Sequence, residues 1–135
     1  MVFTQELYIP FHYIDTAGIL FFGKSTEIYH QLYEAWLLRS GKSWNSIFAS
    51  NDIGIPIKHF SVEFNKPVLG GQTYLGTLSI TRIGKTSFET SFKLEKEGNV
   101  YFQTKTTHVF MSKETLSPQP IPAEWRDYLS QYHAQ

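Results

Sequence analysis

Residues 23–40 read GKSTEIYHQLYEAWLLRS, and how this stretch is read decides the fold. Ile28, Leu32, Ala35 and Trp36 recur at i, i+4, i+7 and i+8, the spacing of one helical face. Tyr29, Tyr33, Leu37 and Leu38 widen that face. So broad an apolar arc does not suit a helix lying on a surface with its back to water. It suits a helix largely enclosed by a sheet. Ser25 or Thr26 is expected to cap its start, and Gly41 stands where such a helix ends.

On either side of this stretch the period changes to two. Upstream, Phe3, Leu7, Ile9, Phe11 and Tyr13 alternate with polar residues, Gln5 being the exception, which predicts a strand over Phe3 to Tyr13. Pro10 makes it an edge strand or bends it. Downstream, strands are predicted over Ile55 to Asn65, Thr73 to Ile83, Ser87 to Glu95 and Val100 to Met111. Pro67 with Gly70-Gly71, then Gly84-Lys85, then Glu97-Gly98-Asn99 supply the turns between them. A short helical turn is expected over Ser43 to Ser50. After Pro118, Pro120 and Pro122 a C-terminal helix is expected in AEWRDYLSQY. The order predicts an α+β fold, an antiparallel sheet of about five strands wrapped around one long hydrophobic helix, as a single domain over residues 1–135. The free sheet edges favour dimers.

Bulk properties narrow the function. The chain of 135 residues balances twelve basic against twelve acidic residues with no block of like charge, so a nucleic-acid or membrane-surface protein held by charge is not expected. Without cysteine, disulfides, thiolate catalysis and cysteine-based zinc sites are excluded. No apolar run approaches the roughly 18 residues of a membrane span. MVFTQELYIPF alternates from its first residues and lacks the pattern of an export signal, so a cytoplasmic protein is the expectation. Eleven Phe, eight Tyr and three Trp supply core and interface area, or an aromatic slot for a flat ligand. Phe21, Tyr29, Tyr33 and Trp36 are near enough in sequence to line one.

The chemistry concentrates just before the helix, in YIDTAGILFFGK at residues 13–24. Asp15 enters a bend of small residues, Thr16-Ala17-Gly18, in which Gly18 is free to take a positive φ. Phe22-Gly23 then leads into a helix whose first amides have no intrahelical acceptor. A carboxylate beside free amides is what acyl transfer needs. An aspartate that merely caps a turn has the same spacing. Pattern alone leaves both readings open.

YIDTAGILFF, IYHQLYEAWL and GIPIKHFSVEFNKPVLGGQTYL together resemble hotdog-fold acyl-CoA thioesterases of the 4-hydroxybenzoyl-CoA thioesterase superfamily, and most nearly its 1,4-dihydroxy-2-naphthoyl-CoA hydrolases. The resemblance spans nearly the whole chain. It implies hydrolysis of an aryl-CoA to free acid and coenzyme A, with no metal or other cofactor. Asp15 becomes the carboxylate that attacks the thioester or activates water, the backbone amide of Phe22 the donor to the thioester oxygen, and Gly18 the glycine of the bend. IGKTSF at residues 83–88 matches the stretch that contacts the phosphates of coenzyme A, which nominates Lys85, Ser87 and Thr86. Sites between protomers of a homodimer or homotetramer follow from the same resemblance. Phe22 stands where the branch associated with the Tol-Pal envelope system commonly has histidine, which points away from that branch. One cation, Lys85, stands where the 4-hydroxybenzoyl enzyme has two arginines, so Arg82 or Lys58 would have to add to the grip.

Other residues have quieter readings. His30 and Glu34, four apart on the helix, lack further metal ligands and are expected to pair or to form a pocket wall. His59 and Glu63 share one strand face, expected to be solvated. His12 lies near the bend, and His108 is expected in the core or an interface. Three alternatives remain. One is a fatty acyl-CoA thioesterase of short or medium chain. Another is a hydratase using His59 or His108 as base. The third is a non-catalytic acyl-CoA-binding module.

Overall fold

The structure is a computed structural model that describes residues 1–49 and 51–134. Its main sheet has five strands: β1 (Phe3–Tyr8), β3 (Ile57–Phe64), β4 (Thr73–Ile83), β5 (Ser87–Lys96) and β6 (Asn99–Val109). They run antiparallel in the order β1-β4-β5-β6-β3, so β1 and β3 form the two edges. The long helix α1 (Lys24–Leu38) lies across one face. A short helix α2 (Trp44–Phe48) follows it, and α3 (Ala123–Gln131) closes the chain. Two-residue strands β2 (Ile53–Gly54) and β7 (Met111–Ser112) make a small second sheet. No helix among the described residues is long and apolar enough to cross a membrane.

The broad apolar arc is buried as its width requires. Ile28, Tyr29, Leu32, Tyr33, Trp36 and Leu37 are all sealed, against Leu78, Ile80, Phe88, Phe92, Leu94 and Phe102 of the sheet. Alternation sends the neighbouring residues to the opposite face, where Ser61, Glu63, Lys93 and Lys105 are exposed. Gly76 lets the layers approach. A Cβ there would stand 2.8 Å from Leu7, 3.2 Å from Leu32 and 3.3 Å from Phe92. Behind α1, Trp125 and Leu129 anchor α3, and the Tyr128 hydroxyl donates to the Trp36 carbonyl at 2.6 Å.

Several expectations need correction. The first strand stops at Tyr8, not Tyr13, because Pro10 opens a 3-10 turn over Phe11–Tyr13. Alternation continues through that turn in sequence only: Ile9 is buried, whereas Phe11 is 90% exposed. Neither Ser25 nor Thr26 caps α1. Their hydroxyls donate backward, to the carbonyls of Phe22 at 2.8 Å and Gly23 at 2.9 Å, and Gly23 is the capping residue. The short helix begins after Ser43, whose hydroxyl accepts from the Ser46 amide. Ser50, the end of that expected turn, lies outside the described residues, as does Gln135.

Candidate active site

The bend at residues 14–20 is a small hairpin pressed against the loop that follows β3. Its neck is the Ile14–Leu20 pairing, and its tip is closed by Asp15 N–H to the Ile19 carbonyl (2.9 Å) and Gly18 N–H to the Asp15 carbonyl (3.0 Å). Gly18 holds φ +82°, the left-handed conformation that such a three-residue loop demands. Leu20 is the buried anchor of the apolar run, its amide donating to the Val68 carbonyl at 2.8 Å. Phe21 N–H returns to the Tyr13 carbonyl at 2.9 Å, which aims the chain into α1. The run Ile19 to Phe22 is therefore neither plain core nor plain surface: Leu20 is sealed while Phe21 and Phe22 are exposed.

Asp15 does cap this turn. Its Oδ1 accepts the Ala17 amide at 2.8 Å, while Oδ2 has no hydrogen-bond partner among the described residues. The residue is solvent-accessible and lines a cleft of about 440 Å³. Ile19, Leu20 and Phe22 continue that wall, and Phe64 to Val68 form the opposite one. At the cleft's edge α1 begins. The amides of Lys24 and Ser25 turn back to the carbonyls of Phe21 (2.9 Å) and Phe22 (3.1 Å), but those of Phe22 and Gly23 meet no acceptor among the described residues. Such amides carry the partial positive charge of a helix N-terminus. Asp15, with one carboxylate oxygen free of partners among the described residues, and Phe22, whose amide likewise has none there, thus line one partly apolar cleft. This arrangement can polarise a carbonyl and deliver a nucleophile to it.

Lys85, Thr86 and Ser87 lie elsewhere in the protomer. They form the tip of the β4–β5 hairpin, at the end of the sheet where Ser87 pairs with Val109. The cleft sits at the other end, where Phe64 pairs with Phe102. Those rows are seven positions apart on β6, about 23 Å at the rise of a strand. Lys85 is exposed with no ion-pair partner among the described residues, and the Ser87 hydroxyl accepts from Arg82 at 3.1 Å. Arg82 is itself bound to Glu89.

Phe64, Asn65, Lys66 and Val68 also line the cleft, and none of them carries a site reading in the sequence. Phe64 and Asn65 fall at the end of the strand expected over Ile55 to Asn65, and neither strand period nor the turn at Pro67 marks a cleft wall. Of the four aromatics proposed for a ligand slot, Tyr33 and Trp36 are core residues stacked on each other at 5.9 Å. Tyr29 lines a second hollow of about 380 Å³, with Thr26, Glu27 and His30 of α1 and Ile57 and Phe60 of β3. His30 packs beside Tyr33. His59 is exposed on the outer face, and His108 is sealed beneath α1, so neither histidine reaches the Asp15 cleft.

The family model described as "Thioesterase-like superfamily" matches residues 9–129. A 1,4-dihydroxy-2-naphthoyl-CoA hydrolase of Nostoc punctiforme is 30% identical over 124 residues, 92% of this chain and 84% of that protein. One from Crocosphaera subtropica is 33% identical over 97 residues, 72% of this chain and 71% of its own. The solved structure of a 1,4-dihydroxy-2-naphthoyl-CoA thioesterase from Synechocystis superposes with a TM-score of 0.88 at 25% identity, covering 96% of both chains.

Proposed function

The chain belongs to the thioesterase-like superfamily and has the hotdog fold, and on that premise we propose that it hydrolyses an aryl-CoA thioester to the free acid and coenzyme A. The acyl group is 1,4-dihydroxy-2-naphthoyl or a similar hydroxylated aromatic acid. One observation carries the reading: Asp15 and Phe22, the latter with an amide that meets no acceptor among the described residues, line the same cleft at the leading end of α1.

The chemistry follows from that geometry. The thioester carbonyl lies with its oxygen toward the Phe22 amide and its carbon toward Asp15. The ionised carboxylate either adds to that carbon or takes a proton from a water that adds. In both routes the carbonyl oxygen becomes an oxyanion held by the backbone donor, and loss of one such donor raises the barrier by about 3 kcal/mol. Collapse expels the coenzyme A thiolate, which takes up a proton. By the first route a water then cleaves the acyl-aspartyl anhydride, releasing the free acid and regenerating Asp15. A carboxylate, amides and water suffice, so no metal or redox cofactor enters the scheme.

The working unit is at least a dimer. What supports this is the free edge of β3, which exposes Ile57 and Phe64 at its two ends (42% and 44%). Two copies paired antiparallel along β3 bring the hairpin of one, with Lys85, to the cleft of the other. Lys85 then grips phosphate of the nucleotide, with Ser87 and Thr86 beside it. A tetramer would be two such dimers.

The test is thiol release across a panel of aryl- and fatty-acyl-CoA esters. Fastest release from hydroxylated aryl esters is expected. Preference for fatty esters would move the protein to that substrate class, and tight binding without thiol release would make it a binding module.

A further inference from the structure

The tip of the β4–β5 hairpin is tied from behind by the C-terminal segment. Nη2 of Arg126, on the first turn of α3, donates to the Gly84 carbonyl at 2.7 Å and lies 3.5 Å from that of Lys85. The Ile121 amide donates to the same Lys85 carbonyl at 2.9 Å. Both carbonyls are thereby turned toward α3. A trans peptide points its N–H away from its carbonyl, so the amides of Lys85 and Thr86 face the opposite side. Neither amide meets an acceptor among the described residues. Two successive amides on one side, on a hairpin tip that also carries the exposed cation of Lys85, suit an anion.

α3 is rigidly seated for this task. Trp125 and Leu129, on either side of Arg126 in sequence, are both buried in the core. Both contacts come from one nitrogen, Nη2, held in place by a planar, permanently charged group that a flexible lysine ammonium matches only in part.

We propose that Arg126 is a positioning residue for the phosphates of coenzyme A, acting through the peptide planes of Gly84–Lys85 and Lys85–Thr86. It orients two backbone donors and does not itself touch the substrate. The inference rests on the reading of this hairpin as the phosphate-gripping element.

The test compares wild type, Arg126→Gln, Arg126→Lys and Lys85→Ala on one acyl group carried by coenzyme A or by N-acetylcysteamine, which has no phosphate. Arg126→Gln is expected to raise KM for the coenzyme A ester about fivefold to tenfold, the range of one or two lost hydrogen bonds. Its kcat stays within about twofold, and neither constant moves for the small thioester. Arg126→Lys recovers part of the lost affinity. A separate measurement needs no variant: titrating the wild-type protein with adenosine 3′,5′-bisphosphate is expected to shift the backbone amide resonances of Lys85 and Thr86. Equal losses on both thioesters would reduce Arg126 to a structural tie and overturn the proposal. So would silent Lys85 and Thr86 amides in a protein that binds the nucleotide. If Lys85→Ala separates the two esters and Arg126→Gln does not, the positioning role alone fails. If Lys85→Ala does not separate them either, the phosphate reading of the hairpin fails with it.

Discussion

The hydroxyl of Tyr29 on α1 and Nε2 of His108 on β6, 79 residues apart in the chain, meet at 2.8 Å in the sealed layer between helix and sheet. Thr90 takes the other side of the hydroxyl at 2.7 Å. The imidazole is sandwiched between the rings of Tyr33 (4.2 Å, 17°) and Phe88 (5.0 Å, 10°). Its Nδ1 is buried with no hydrogen-bond partner among the described residues. Burial, the largest influence, holds the pKa of His108 down to about 3; the Ile55 backbone opposes this and His30 adds to it. His108 is therefore a neutral structural residue, which weighs against a hydratase that would use it as base.

A pH dependence of stability follows. The folded state keeps His108 neutral, while the unfolded chain binds a proton below its ordinary value near 6.5. Its contribution is full above that value and is lost as pH falls toward about 3, at up to about 1.4 kcal/mol per pH unit. Urea unfolding at pH 7.5 and 5.5 should show a steeper loss in wild type than in His108→Gln. Parallel slopes would mean that the imidazole charges inside the fold.

Asp15 caps a turn and faces a cleft, so one substitution must separate the two roles. Asn keeps an oxygen for the Ala17 amide but removes the negative charge. Asp15→Asn should fold with stability within about 0.5 kcal/mol of wild type and still bind substrate, yet lose at least about 1,000-fold in kcat. Asp15→Ala should lose both activity and about 1 kcal/mol of stability, as a lost cap does. Near-normal thiol release by Asp15→Asn would leave Asp15 with the cap role alone.

Gly76 tests how closely helix and sheet are fitted. The methyl of Gly76→Ala would press on Leu7, Leu32 and Phe92, all buried. Overpacking of this kind costs about 1–3 kcal/mol. The urea midpoint should drop with little change in slope, and an unchanged midpoint would show that the layers can spread.

How much of this was legible in the sequence depends on range. The helix of residues 24–38 and strand Thr73–Ile83 were readable because each holds one period over many residues. The pairing of β2 with β7 was not, since two-residue strands have no period. A side chain helps hold them together: Asp52 accepts from the Ser112 hydroxyl at 2.6 Å and the Glu114 amide at 3.0 Å. The hydroxyls of Ser25 and Thr26 stood at capping distance in sequence yet bond to carbonyls behind them. At the site, Asp15, Gly18 and Phe22 could be found because one local turn contains them. Lys66 comes to the cleft from the loop after β3, distant from Asp15 in sequence, and carries no local mark. The distance between Lys85 and the cleft depends on strand order, which no short motif encodes.

That distance makes the assembly testable through activity. If the hairpin of one protomer serves the cleft of its partner, a mixed dimer of Asp15→Asn and Lys85→Ala contains one site with both native residues and one with neither. Random reassembly makes half the dimers mixed, so about a quarter of the wild-type sites return by two-fold symmetry. Assayed with a coenzyme A ester well below KM, the mixture should then exceed the average of its two parents. If each hairpin serves its own cleft, every site in the mixed dimer is singly impaired and the mixture only averages. Subunit exchange followed by thiol release distinguishes the two. Simple averaging, in a sample shown by mass spectrometry to contain mixed dimers, would exclude antiparallel pairing along β3 as the source of the phosphate grip.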